Sequence, residues 1–397
     1  MKFKRTLLAA AMLAASSLSA PAADYVFSAS ADYSGPFADV MPNAMSGINA
    51  VANWWNAEVG KKLGVNVQVK IYDMRYDPAQ IAKTWPSILS SDHPIMHLGF
   101  GSPDLVTLMK RLPGDKVPML IGTAMVGLVW VPNGWHYSIR PTYSHEFAGL
   151  LSYLQEKKGK KLVIGPISTQ TQAGFVDQVN GVRKLAETYP ARFQVLDTQW
   201  VGASPVWLTA NVRTLAAGNP DVLLIGGTTA QVIAAAKAMG ELNVKIPIIA
   251  STHNGLTEVA KAINLSSLEG AYSAFSFAAP EQPNLPIEKI YNQYKKDGQW
   301  GLITAQSAAQ ALLAFRVLEK VVAKVGADKV TGEAMRNALL ENKFTEQELL
   351  GALPTLDFDD TAPFPIGDIK ATAEVVQGGK IQPIGGGWLT VPALKKW

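Results

Sequence analysis

The sequence predicts an α/β protein made of two Rossmann-like lobes, each a mostly parallel sheet flanked by helices. Three observations predict it. Apolar runs of strand length alternate with longer amphipathic segments, the pattern of parallel strands covered on both faces. The alternation runs through one series and begins again after residue 145. The chain's 397 residues, 48% hydrophobic and 17% charged, are enough for two domains of about 150 residues or more, each with its own core.

Val26 to Ala29 starts the first series. Residues 43–59 then carry Ile48, Val51, Ala52 and Trp55 at helical spacing, and Val65 to Tyr72 alternates as a second strand. Asp77-Pro78 opens the next helix with a cap and a first-turn proline. Ile95–Leu98 and Val117–Ile121 complete the set. The second series begins with a helix at 146–157. Its strands fall at Leu162–Ile164, Val195–Asp197, Val222–Ile225 and Ile246–Ala250, with helices at 173–188, 206–217 and 230–240 between them. Ala271–Phe277 is strand-like, residues 304–325 form a long apolar helix, and Thr331–Glu341 forms another. From Ala352 the tail has short strands and glycine turns. Open α/β sheets bind ligands beyond the carboxyl ends of their strands, so the candidate contacts are the loops directly after strands.

Lys2, Lys4 and Arg5, the apolar run Thr6 to Ala15, then Ser16, Ser17, Ser19 and Ala20-Pro21-Ala22 read as a secretory signal peptide over 1–22, cut after Ala22. The run is too short to span a bilayer, for which about 20 residues are needed, and no later segment is long enough. No cysteine follows the signal to carry a lipid, and the mature chain is expected in the periplasm. Setting the three basic signal residues aside leaves 33 Lys+Arg against 32 Asp+Glu, with no basic excess for nucleic acid. Zero cysteines exclude disulfides, thiolate metal sites and cysteine nucleophiles. Gly99-Phe100-Gly101-Ser102-Pro103 is not a nucleophile elbow, and no dinucleotide or Walker glycine pattern is present. His93 and His97 lack the glutamate of a metal-ligand set. Asp357, Asp359 and Asp360 near Asp368 read as a solvated turn rather than a calcium loop. No cofactor is expected.

Ser34-Gly35-Pro36-Phe37 follows the first strand, Gly47 lies in a helix reaching Asn53, and Tyr72-Asp73 precedes Asp77-Pro78. Gly99-Phe100-Gly101-Ser102, Val117-Pro118-Met119-Leu120-Ile121, Ile139-Arg140, Asn219-Pro220-Asp221-Val222 and Gly226-Gly227 follow in order. Together with the export signal, this order resembles the type I periplasmic solute-binding proteins of ABC importers, the leucine/isoleucine/valine-binding group. The resemblance implies a three-segment hinge near 139–145, 271–279 and 351–357. Lobe 1 would be 23–141 plus 272–352, and lobe 2 would be 142–271 plus 353–397. It also implies a monomer that closes around a small solute and meets an inner-membrane permease.

Amino-acid binders of that group hold the ligand carboxylate with hydroxyls and backbone N–H groups of two first-lobe loops, and the ammonium with a second-lobe acid. The first half survives here: Gly101 and Ser102 stand at a helix start, whose free N–H groups favour an anion, and Thr123 and Ala124 occupy the second loop. The second half departs from the pattern. Where those binders carry glutamate, this chain reads Ser251-Thr252-His253-Asn254. An ammonium buried without a counter-charge costs several kcal/mol, so a carboxylate lacking an α-amino group is the expected ligand, aromatic acids included. His253 would donate a hydrogen bond or a charge to it. Gln172 and Thr228 stand where the family often has ligand-stacking aromatics. Phe37 and Val40 would line the first wall, with Tyr272 and Trp300 near the hinge. Branched-chain or other amino acids, and an amide or acid sensor of the same fold, are the alternatives.

Overall fold

The computed structural model describes residues 22–125, 130–361 and 369–397. Residues 1–21 of the expected signal peptide and Asp368 lie outside them. Strands β1 (Ala23–Ala31), β2 (Val65–Asp73), β3 (Met96–Gly99), β4 (Met119–Ile121) and β5 (His136–Ser138) form a first sheet of order β2-β1-β3-β4-β5, parallel throughout. Parallel neighbours require crossovers, and helices supply them. Helix Met41–Trp55, followed by a π-turn at Asn56–Gly60, links β1 to β2 where one helix over 43–59 is expected. Helix Pro78–Asp92 links β2 to β3. It starts as the sequence predicts, with Asp77 accepting the Ala79 N–H at 2.9 Å and proline in the first turn.

The second sheet comprises β6 (Leu162–Ser168), β7 (Phe193–Val195), β8 (Gln199–Trp200), β9 (Val222–Gly226), β10 (Ile248–Ala250), β11 (Tyr272–Phe275), β12 (Lys370–Gln377), β13 (Lys380–Pro383) and β14 (Leu389–Thr390). Its order is β13-β12-β11-β10-β9-β6-β7, with β8 beside β6 and β14 beside β12. From β6 to β11 it is parallel, and β12 to β14 add an antiparallel edge. The strand expected at Val195–Asp197 is β7, which ends at Val195.

Two departures from the expected limits bear on the crossings. β11 pairs with β10 and β12 up to Phe275, so residues 272–275 stand in the second sheet. Leu356 and Phe358, expected with the second lobe, are buried in the core over the first sheet. Helix Leu302–Val325 anchors that core. Gly47 lets helix Met41–Trp55 approach it so closely that a Cβ there would lie 2.6 Å from the Thr304 carbonyl oxygen and 3.2 Å from the Ala308 nitrogen. No helix among the described residues is long and apolar enough to cross a membrane.

Candidate functional site

The carboxyl ends of both sheets converge on one buried polar network. Arg140, beyond β5 and 1% exposed, anchors it. Its guanidinium grips Glu146 with two nitrogens, the Nε contact at 2.7 Å, and reaches the Gln306 Oε1 at 3.3 Å and the Thr252 hydroxyl. One cation thus ties the first sheet, helix Tyr143–Lys158, helix Leu302–Val325 and the loop after β10 together. Bidentate charge-assisted bonds fix orientation as well as supply energy. The guanidinium lies 4.9 Å from the centre of the Tyr143 ring.

Tyr143 carries the network onward. Its hydroxyl lies 2.9 Å from the Thr123 hydroxyl and 3.2 Å from His253 Nε2, and its ring meets the imidazole edge-on at 4.9 Å. Phe175 packs on the other side of that imidazole at 5.7 Å. Burial first, and Arg140 second, depress the His253 pKa to about 3, so the ring is neutral and brings no charge, contrary to one of the two roles expected for it. Its Nδ1 is buried and has no protein partner.

A second group lines the first sheet. Phe37, Tyr76 and Phe100 form a three-ring cluster with centroids 4.9, 5.5 and 6.2 Å apart, and the Tyr76 hydroxyl lies 3.2 Å from Ser102 Oγ. Beneath it, Asp104 accepts the Phe100 and Gly101 N–H groups at 3.0 Å each and the Ser30 hydroxyl at 2.6 Å. Burial alone would raise the Asp104 carboxyl, but His97 beside it, the Gly101 N–H and Ser30 hold it below its usual range. Of the N–H groups at this helix start, where free donors for an anion are expected, that of Gly101 is taken by Asp104 reaching back from the helix. Helix Ser102–Leu108 is capped at Gly101, and the Ser102 hydroxyl faces Tyr76.

The structure brings together Phe37, Gly101 and Ser102 on one wall, and Thr123 and His253 through Tyr143. Val40 is half-buried ahead of helix Met41–Trp55. Ala124 is fully buried and contributes its carbonyl to the Tyr143 N–H at 3.2 Å. Gln172 precedes helix Ala173–Thr188 with no side-chain cap bond. The Thr228 hydroxyl is spent capping helix Thr229–Leu242, at 3.3 Å from the Gln231 N–H, and donating to the Ala203 carbonyl. Tyr272 does not belong here. It begins β11, at the amino end of a strand parallel to β10, with Lys157 and Tyr153 beside it. Trp300 donates to the Pro280 carbonyl at 3.1 Å and packs on Tyr291.

Tyr76, Phe100, Tyr143 and Phe175 were not expected, although each follows a strand or opens a helix at the carboxyl edge. His97, between Ser28 Oγ at 2.8 Å and Ser30 Oγ at 3.1 Å, is a buried structural residue. Asp360 pairs with Arg336. Among the described residues no group of three or more His, Cys, Asp and Glu assembles to hold a metal. A surface groove of about 700 Å3 lined by Gln282, Asn284, Glu346 and Thr355 contains none of the strand-end loops.

A family model described as periplasmic binding protein matches residues 28–377. No curated protein matches the chain. Among solved structures, a branched-chain amino acid ABC transporter protein from Thermus thermophilus with bound valine is similar over 93% of this chain and 97% of that one, with 16% identity and a TM-score of 0.76. A fatty acid ABC transporter substrate-binding protein from Thermomonospora curvata is similar over 94% and 93%, with 15% identity and a TM-score of 0.73. An extracellular ligand-binding receptor from Verminephrobacter eiseniae is similar over 91% and 100%, with 15% identity and a TM-score of 0.74. At these identities the likeness shows a shared fold.

Proposed function

Because the chain belongs to the periplasmic binding protein family, we propose that it is the solute receptor of an ABC importer, exported by its N-terminal signal and delivering a small organic acid without an α-amino group to an inner-membrane permease. Membership makes it a binding protein and not an enzyme. The two sheets with their helices act as lobes that hinge at three crossings and close on the ligand. The pairing of β11 and the burial of Leu356 and Phe358 favour crossings after Phe275 and after Phe358, later than residues 272 and 353.

One observation carries the ligand class: the carboxylates of the strand-end loops are engaged through at least one oxygen, and only Asp32 Oδ1 and Glu281 Oε2 among them are buried without a donor. Glu146 is held by Arg140, Asp104 by two N–H groups and Ser30, Asp73 by Tyr33, Ser34 and Arg75, and Asp32 by the Phe37 N–H at 2.7 Å. Burial raises the Asp32 pKa, with the Phe37 N–H opposing the shift and Asp73 adding to it. A carboxylate would be met by neutral donors: the Ser102 and Thr123 hydroxyls and the His253 imidazole.

Relatives of this fold include one with bound valine and one named for fatty acids, so an amino acid is the second reading. Thermal-shift titration of the mature chain with benzoate, hexanoate, leucine and valine separates the two, because a ligand that binds only the folded state raises the melting temperature. Acids without an amine should stabilise. Stabilisation by leucine or valine alone would overturn the reading. Ser102→Ala should weaken acid binding by about 1–3 kcal/mol; unchanged affinity by calorimetry removes Ser102 from the site.

A further inference from the structure

Two neighbouring residues on the rim of the first sheet sit in backbone that side chains avoid. Arg75 has φ 56° and Tyr76 φ 51°, and left-handed backbone is strained for both. Such strain persists where the surroundings over-determine it. Here Asp73 accepts the Arg75 N–H at 3.3 Å and the Asp77 N–H donates to the Met74 carbonyl at 3.0 Å.

The strained turn lays the Tyr76 ring across the backbone of Gly101, where a Cβ would lie 2.1 Å from Tyr76 Cε2. Gly101 is extended, a conformation open to any residue, so what glycine supplies is room for that ring. Tyr76 stands outside the core clusters that flank the first sheet and meets them only through Phe37 and Phe100, which pack against one of them. Phe37, Tyr76 and Phe100 are each half-buried, so part of the cluster stays accessible from outside the core.

From these observations we infer that Tyr76 is the specificity-determining residue of the site: with Phe37 and Phe100 it forms a wall that selects ligands carrying a flat aromatic ring. The inference rests on the reading of the cleft as a solute site and deepens it; the ring preference is independent of the ligand's head group. Aromatic rings prefer edge and offset contacts with one another beyond their area burial, so a saturated ring of equal size gains less on this wall.

The test is calorimetric titration of the mature chain and its Tyr76→Ala, Tyr76→Phe and Gly101→Ala variants with benzoate, benzamide, cyclohexanecarboxylate and leucine, folding being checked by near-ultraviolet circular dichroism. Wild type should favour benzoate over cyclohexanecarboxylate by about three- to tenfold. Tyr76→Phe should keep that ratio. Tyr76→Ala should abolish it, as should Gly101→Ala, which displaces the ring without deleting any side chain. A wild type that treats the two acids alike, or a preference that survives both alanine variants, overturns the role of Tyr76 and leaves the acid reading intact. Binding of benzamide without benzoate overturns the acid reading and supports the wall. Binding of leucine alone, or of none of the probes, overturns both.

Discussion

Replacing Glu374 with glutamine should stabilise the protein at neutral pH and flatten the dependence of its melting temperature on pH. Glu374 stands on β12 opposite Ser273, is 0% exposed, and has no hydrogen-bond donor on either carboxyl oxygen. The ionisable group acting on it is another carboxyl, Glu281, whose own Oε2 is buried without a donor and whose Oε1 takes the Thr257 hydroxyl at 3.1 Å. Glu288 lies within the field of Glu281 in turn. Burial first, and then the Glu281 carboxyl, push Glu374 well above the usual carboxylate range. The folded chain therefore keeps a proton that the unfolded chain releases above about pH 4.3. Stability is complete below that pH, falls as pH rises toward the folded-state pKa, and levels off beyond it. Glutamine is close to isosteric, cannot ionise, and offers an N–H to Glu281. Relieving a buried acceptor that lacks a donor is worth about 1–3 kcal/mol. At about 2–4 °C per kcal/mol for a cooperative unit of this size, the gain at pH 8 is about 2–12 °C, vanishing near pH 4. Scanning calorimetry of both proteins from pH 4 to 8 measures it. Parallel curves across that range would refute the reasoning, since they would mean that Glu374 ionises in the folded chain at no cost.

Two further predictions concern the polar network. Arg140→Met strands the buried Glu146 carboxylate and should cost about 3–5 kcal/mol in urea unfolding, most of it recovered when Glu146→Leu is added. A single-variant loss below about 1 kcal/mol would contradict the pairing drawn here. His253, held neutral with a pKa of about 3, should leave the affinity for benzoate constant between pH 5 and 8. A tenfold rise per pH unit below the ordinary histidine value of about 6.5 would show that the imidazole charges on binding.

Much of the fold was legible because parallel strands covered on both faces must be apolar throughout. Val222–Gly226 reads VLLIG and is buried at every position. His136–Ser138 and Gln199–Trp200 were missed for the opposite reason: each is two or three residues long, contains polar side chains and takes its place from its neighbours' hydrogen bonds. The site was partly legible by the same logic. Phe37, Ser102, Thr123 and His253 sit in loops after strands, where a parallel sheet presents ligands. Tyr272 was misassigned because an apolar run does not reveal which of its ends faces the cleft. Tyr76 was passed over because the stretch Asp73 to Asp77 reads as a turn and a helix cap, and the cap at Asp77 is indeed there. Nothing in that reading reports a left-handed backbone. The use of the Gly101 N–H at this helix start was not read because the reach of Asp104 back across one helical turn is a three-dimensional fact, although an acid three residues after a cap is the sequence sign of it.

The disposition of charge around the cleft points in one direction. Arg140 and Glu146 neutralise each other out of water, Asp104 is consumed by the loop it supports, and His253 is uncharged. Ionic groups are thus used to hold loops in position, and on the proposed reading the groups left to a ligand would be hydroxyls, one imidazole nitrogen, aromatic rings and the second oxygen of Asp32. Selection at such a surface depends on shape and on satisfying hydrogen bonds, because an unmatched buried donor costs more than a matched one contributes. His253 Nδ1, like Asp32 Oδ1 after β1, is a buried polar atom without a partner. The same ring is joined through Tyr143 to Thr123 of the first sheet, while Arg140 reaches Thr252 beside it. On the proposed reading, a ligand atom that completed Nδ1 would act on a residue linked through Tyr143 to Thr123 of the first sheet.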